Sequence, residues 1–298
     1  MSLLSSTQGT PERTLSLVQV LAAHGGRLPR DQLLAWLDPA IGRDASEVGA
    51  SVAADHTLGS ASSLDFASVS SGQYILEADL DVRDLDHFAD LTHQRLLNLS
   101  DDKADWVLLR AFAFIVARTE QAKGTGWLHA ATNKVVADAI DKSFPGRANT
   151  GSEGRIFNEY KMAPFWRWIG LVGLAVALPT GGYHPSVAAR LGRELAQSGL
   201  PTETEIPIRQ VLDVIAERMP YLDGGKLFAA AAEGLGLPAQ SRSLSPVLST
   251  ALRDLDEDGV LALGFRQDAP GLVSLADDRF SRIKAVQFLT LNGSARDA

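Results

Sequence analysis

Along residues 165–182, FWRWIGLVGLAVALPTGG, the apolar positions change period. Phe165, Trp168, Ile169 and Val172 recur at i, i+3, i+4 and i+7, which predicts one buried helix face. The Leu-Ala-Val-Ala-Leu that follows tolerates extended structure, Pro-Thr-Gly-Gly marks a turn, and Tyr183-His184-Pro185 resumes a strand. The pattern therefore predicts a helix, a short strand, chain reversal at Pro179–Gly182 and a returning strand. It does not predict a membrane helix. The run from Trp168 to Pro179 is far short of the roughly 20 residues a span needs, and Arg167 sits at its edge. A helix leading into a β-hairpin is the closing half of a winged-helix unit.

The same order recurs near the C-terminus. Ser245-Pro246 is an N-cap and first-turn pair, and Val247, Leu248, Ala251, Leu252 and Leu255 make one apolar helix face. Gly259 suits the helix end. Val260–Leu263 reads as a strand, residues 267–271 as a turn and Leu272–Leu275 as the returning strand. Two helical stretches, IPIRQVLDVIAERM and GGKLFAAAAEGLGL, precede this unit. After it, Phe280, Ile283 and Phe288 fit the inner face of a final amphipathic helix.

A third copy opens the chain. Residues 15–21 form a helix closed by Gly25-Gly26, LPRDQLLAWL follows, and ASEVGASVAADHTLG reads as the third helix. Gln73–Glu77 is a strand, and the Ser-rich SASSLDFASVSSG before it reads as a loop or long wing tip. From about Val82 to Val116 two amphipathic helices are separated by Ser100-Asp101-Asp102, and Asp101, Asp102 and Asp105 read as N-cap and first-turn charges. GWLHAATNKVVADAIDKSF resumes a helix. The expected fold is mainly α with small β-hairpins, as tandem winged-helix units joined by a helical segment. The units are 1–82, a helical lead-in with the central unit over 83–200, and 201–298 with a terminal helix.

Charge narrows the function. A formal net charge of -8 argues against broad affinity for nucleic acid, and the absence of cysteine removes disulfides, thiolate nucleophiles and cysteine metal sites. The first fifteen residues have no basic n-region and no apolar core, so a soluble, cytoplasmic chain is expected. Within it, Lys142, Arg147, Arg155, Lys161 and Arg167 stand against Glu153 and Glu159, with Asn149 and Asn158 as neutral partners for DNA. The competing reading is a solvated face with ordinary pairs such as Arg155 with Glu159. The third helices of the terminal units are poor DNA readers: one offers Glu47 and Asp55, the other Asp254, Asp256, Glu257 and Asp258 beside Arg253. Trp166, out of phase with its neighbours, and His184 are candidate partner contacts. So are Arg279, Arg282 and Lys284, which equally fit a homodimer contact.

Enzyme signatures are thin. Glu159-Tyr160-Lys161 matches half of a metal-dependent nuclease motif, with Asp138 or Asp141 upstream, but such motifs sit on adjacent strands. His87, Asp90 and His93 are badly spaced for one ion on a helix, and Gly224-Gly225-Lys226 lacks the rest of a phosphate loop. No catalytic residue, metal or cofactor is expected.

The N-terminal winged helix, Phe165-Trp166-Arg167-Trp168-Ile169-Gly170-Leu171 leading to Tyr183-His184-Pro185-Ser186-Val187-Ala188, and the C-terminal winged helix together resemble the DpdG family over most of the chain. The resemblance implies an accessory component of bacterial islands that place 7-deazaguanine derivatives in DNA and restrict foreign DNA. It carries over no catalytic residues. A DNA-associated adaptor, bound to double-stranded DNA and to other proteins of a defence or modification complex, is then one expectation. A protein scaffold without DNA contact is the other.

Overall fold

The structure, a computed structural model, describes residues 2–37, 52–77, 82, 84–144, 154–238, 243–266, 271–276 and 282–293. The fold class is the expected one, mainly α with small antiparallel sheets. By internal contact the chain forms two compact units, Met1–Leu108 with Asn158–Val172, and Leu109–Phe157 with Gly173–Ala298.

The first unit opens on α1 (Pro11–Ala23). Thr10 caps it by accepting from the Arg13 N–H, Pro11 fits the first turn, and Leu17, Val18 and Leu21 are fully buried. The helix closes through Gly25 and Gly26, both at positive φ. Next come β1 (Arg27–Pro29), α2 (Arg30–Leu37), α3 (Val52–Ser63), β2 (Ala67–Ser70) and β3 (Gln73–Leu76). The last strand lies in the middle, giving the order β1-β3-β2. The expected start of the third helix, residues 45–51, falls outside the described residues. Its end runs further than the sequence suggests, because the Ser-rich segment is not a loop: Ser60–Ser63 continue α3 and Ala67–Ser70 pair with β3. Leu64 and Phe66, both wholly buried, pull that segment into the core.

Beyond β3, α4 (Leu85–Leu97) is capped by the Asp84 carboxylate, which accepts from the His87 N–H. Asp105 lies in a first turn, as its place after Ser100-Asp101-Asp102 suggests, but it is 1% exposed and accepts from the Leu3 N–H at 2.9 Å and from the hydroxyls of Ser2 and Ser63. It therefore also acts as a buried junction that holds the N-terminal segment and α3. The unit boundary falls within α5 (Val107–Ala122); α6 (Gly126–Ala130) and α7 (Asn133–Ser143) belong to the second unit, and α8 (Met162–Leu171) returns to the first. Phe165, Trp168, Ile169 and Val172 are each fully buried, as their spacing predicts, and α8 contacts α1.

In the second unit β4 (Ala175–Ala177) and β5 (Tyr183–Pro185) form the expected hairpin. The Leu178 N–H donates to the Gly182 carbonyl at 3.0 Å, and Gly181 and Gly182 take φ of 89° and 83°, which the reversal requires. Then follow α9 (Ala188–Ala196), β6 (Glu205–Pro207), α10 (Ile208–Arg218), α11 (Lys226–Gly234) and α12 (Pro246–Glu257). The helix face predicted for α12 is buried throughout, and Ser245 caps it by accepting from the Leu248 N–H.

The C-terminal strands differ from expectation. β7 (Leu261–Gly264) does not pair with the next strand, β8 (Val273–Ser274), which joins β9 (Ala285–Val286). The partner of β7 is β10 (Phe288–Leu291), giving the order β6-β10-β7. A terminal helix is not formed where residues are described, because period two wins: Leu289 and Leu291 are buried while Phe288 and Thr290 stay partly exposed. A Cβ at position 264 would fall inside the Phe288 ring, so Gly264 lets that ring lie across β7. Among the described residues no helix is long and apolar enough to cross a membrane.

Candidate nucleic-acid interface

The basic residues singled out by sequence divide between the two units. In the second unit, α7 is capped by Thr132, whose hydroxyl oxygen accepts from the Val135 N–H, and it runs to Ser143, placing Lys142 in its last turn, exposed to solvent. Arg155 follows outside any helix, so the i,i+4 relation to Glu159 does not apply. Its guanidinium instead bridges to Asp138 on α7 at 2.8 Å, across 17 residues. Nearby Asp141, nearly buried, accepts from the Ile156 and Phe157 N–H groups at 2.9 and 2.8 Å. Two of the upstream acids thus hold the chain after residue 153, and one of them offsets the charge of Arg155. Arg147 and Asn149 lie outside the described residues.

In the first unit, Asn158 precedes a 3-10 turn, Glu159–Lys161, that runs into α8. The half-motif Glu159-Tyr160-Lys161 is therefore on a helical turn, not on a strand. Tyr160, missed by the sequence reading, is 80% exposed. Along α8 the outward positions include Ala163 and Arg167, and Arg167 donates to the Thr7 carbonyl at 3.3 Å while its side chain stays exposed. Lys161 is half-buried. Trp166 is only 6% exposed and packs edge-on against Phe165 at 4.9 Å, so its ring belongs to the core.

On α3, Ala54, Thr57, Leu58, Ser60 and Ala61 are buried. Gly9 lies so close that a Cβ there would stand 2.9 Å from the His56 carbonyl oxygen. Arg30 bridges to Asp55 in the first turn of α3, and that hydrogen bond raises the already high pKa of the guanidinium. On α12, Arg253 is 5% exposed and turned inward, donating to the Ala276 carbonyl at 2.8 Å and the Ile283 carbonyl at 3.0 Å. Partial burial, then the nearby charges of Glu257 and Asp258, push the Asp254 carboxyl up, so the outer end of α12 is crowded with negative charge.

The remaining candidates are scattered. Arg282 and Lys284 are exposed beside β9, Arg279 lies outside the described residues, and His184 is half-buried on β5. The glycine pair before α11 is no phosphate cradle. Its Gly225 N–H donates to the Leu222 carbonyl and the N–H groups of Leu227 and Phe228 donate to Pro220, so the donors a phosphate would need are engaged. Among the described residues no group of three or more metal-ligating side chains comes together. Neither a curated protein nor a solved structure shows a match to this chain. The family model described as DpdG-like matches residues 1–269, and the chain belongs to that family.

Proposed function

We propose that this protein is a non-catalytic adaptor built from winged-helix units, working beside DNA-modifying or restricting enzymes in bacterial defence. Membership of the DpdG-like family supports the setting. The order of elements supports the units. In the first, helix, strand, two helices and two strands (α1 to β3) give a sheet with the last strand in the middle; β6, α10, α12, β7 and β10 repeat this after α9, with α11 and the β8–β9 pair inserted.

The burial of both third helices carries the adaptor reading. A winged helix that reads DNA lays that helix in the major groove and presents hydrogen-bonding and cationic side chains. Here α3 has no basic residue and α12 commits Arg253 to its own carbonyls. Base reading is thus assigned to neither helix, and what remains for DNA is phosphate contact, through Lys142 and Arg155 in the one unit and through Asn158, Lys161 and Arg167 in the other. That contact positions a protein on duplex without specifying a sequence, which suits a component whose partners perform the chemistry.

Duplex binding followed from low to near-physiological salt tests the proposal. The Arg155→Glu/Lys161→Glu double variant should bind more weakly and lower the slope of log K against log salt by about 2. Unchanged affinity in a folded double variant removes DNA contact through these residues, and a wild-type protein with no salt-dependent duplex binding leaves the protein scaffold, a reading favoured by the net charge of -8. Mg²⁺-dependent cleavage by the purified protein, lost in Lys161→Ala, would overturn the non-catalytic reading.

A further inference from the structure

Two histidines 55 residues apart in sequence meet at the surface of the second unit, His129 exposed and His184 half-buried. His129 lies near the end of α6, and His184 sits in β5 opposite Val176. His129 Nε2 and His184 Nδ1 are 3.3 Å apart, the ring planes agree to within 3°, and the ring centres are 5.6 Å apart. The difference between the two separations, 2.3 Å, equals two centre-to-nitrogen radii of an imidazole. Both nitrogens therefore lie on the line between the ring centres, and the rings meet edge to edge, not face to face.

That geometry has a definite chemical content. Facing in-line nitrogens fit one N–H···N hydrogen bond, with a donor on one ring and a lone pair on the other. They do not fit a shared metal ion, because two in-line zinc–nitrogen bonds of about 2.0 Å would need about 4 Å between the nitrogens. We propose that His129 and His184 form a one-proton clip that fastens the Ala175–Pro185 hairpin to α6 and opens when both rings are protonated. With no added proton, one ring donates to the other. With one, an imidazolium donates to a neutral imidazole and the bond gains charge assistance. With two, both facing nitrogens carry hydrogen and like charge, and the bond is lost.

The surroundings leave this balance to the pair itself. His129 is the one titratable side chain of α6, and Tyr183 is the one ionisable neighbour of His184 on the hairpin. Burial first, then the charge of His129, hold His184 below the ordinary histidine range, and no carboxylate, lysine or arginine among the described residues acts on it. A folded-state pKa below the unfolded one means that the unfolded chain takes up protons first. The clip's stabilisation is present above the ordinary histidine range and is lost as pH falls below that range through the lowered value of His184, where the second proton enters.

Side-chain nitrogen NMR on the intact protein, with amide exchange at Leu178 and Ser186, tests the clip. Both amides are hydrogen-bonded here, Leu178 to Gly182 and Ser186 to Leu174. His184 should titrate below the ordinary histidine range in a step that moves when His129 is replaced, and protection of the two amides should fall about ten-fold across this lower step. His129→Gln, whose amide can still donate from the same place but takes up no proton, should keep protection through that range. His129→Ala should lose it at every pH. Two independent single-step titrations in the wild-type protein, or hairpin protection indifferent to the lower step, would overturn the clip without recourse to any variant.

Discussion

Helices α3 and α12 each lead into a strand of a three-stranded sheet whose last strand lies in the middle, and they are buried by opposite means. α12 is amphipathic and large-featured: leucines and valine fill one face, and the one buried cation, Arg253, ties the helix to carbonyls of the following chain. α3 is built mostly from Ala, Ser, Thr and Gly, with one leucine, one valine, Asp55 and His56, and its small side chains let the N-terminal segment approach. Ser63 reaches the buried Asp105, and Gly9 lies on Ser60 and His56. A helix can thus be held against its neighbours by strong polar ties or by close packing of small residues. The two devices fail differently when mutated.

The largest effect is expected at Arg253. Arg253→Met keeps the volume but leaves the Ala276 and Ile283 carbonyls short of donors in a nearly closed site, at a cost of about 3 kcal/mol. Residue-resolved hydrogen exchange should show α12 losing protection first; protection unchanged there would mean that packing alone holds the helix. Asp105→Asn ranks next. The amide accepts through one oxygen where the carboxylate serves Ser2, Leu3 and Ser63, so about 2 kcal/mol is expected, read from the amides of α3. If it costs more than Arg253→Met, the polar tie matters more on the small-residue helix and the contrast is reversed. Gly9→Ala places a methyl 2.5 Å from Ser60 Oγ and 2.9 Å from the His56 carbonyl oxygen, and the second contact is backbone. The expected loss is about 1.5 kcal/mol with faster exchange in residues 3–10, whereas a neutral result would show that the segment lies loosely on α3.

The same contrast explains what could be read in advance. The faces of α8 and α12 were visible because large apolar residues recur at helical spacing and Ser245-Pro246 announces a start. The end of α3 and strand β2 were not, since Ser and Ala carry no periodic signal and only Leu64 and Phe66 mark the core. Strands β9 and β10 were taken for a helix because Phe280, Ile283 and Phe288 fall at near-helical intervals, whereas the pairing that decides the matter is with β7. For the candidate interface, sequence located the cations but not their partners. Arg155 meets an acid 17 positions away, and His129 meets His184 across 55, distances at which no local pattern operates. Trp166 shows the reverse limit: out of phase on its own helix, it is nonetheless covered.

The smallest effect concerns the start of α12. The Asp223 carboxylate accepts from the Ser245 N–H and from its hydroxyl, both at 2.6 Å, so it holds the residue that caps the helix. Burial of the carboxyl pushes its pKa up, more than these hydrogen bonds lower it, and the charge of Glu120 adds to the rise. A folded-state pKa above the unfolded one means that the native chain binds the proton more tightly. The contribution is therefore complete below the ordinary aspartate range and is lost as pH rises through the raised value. Asp223→Asn should remove that slope, leaving α12 protection flat with pH where the wild-type protein declines. Ser245→Ala, by contrast, should cost about 1 kcal/mol at all pH values through the lost cap. A wild-type protein whose α12 grows more stable as pH rises through this window would mean that the two hydrogen bonds outweigh burial, and would make Asp223 a tie of the same kind as Arg253.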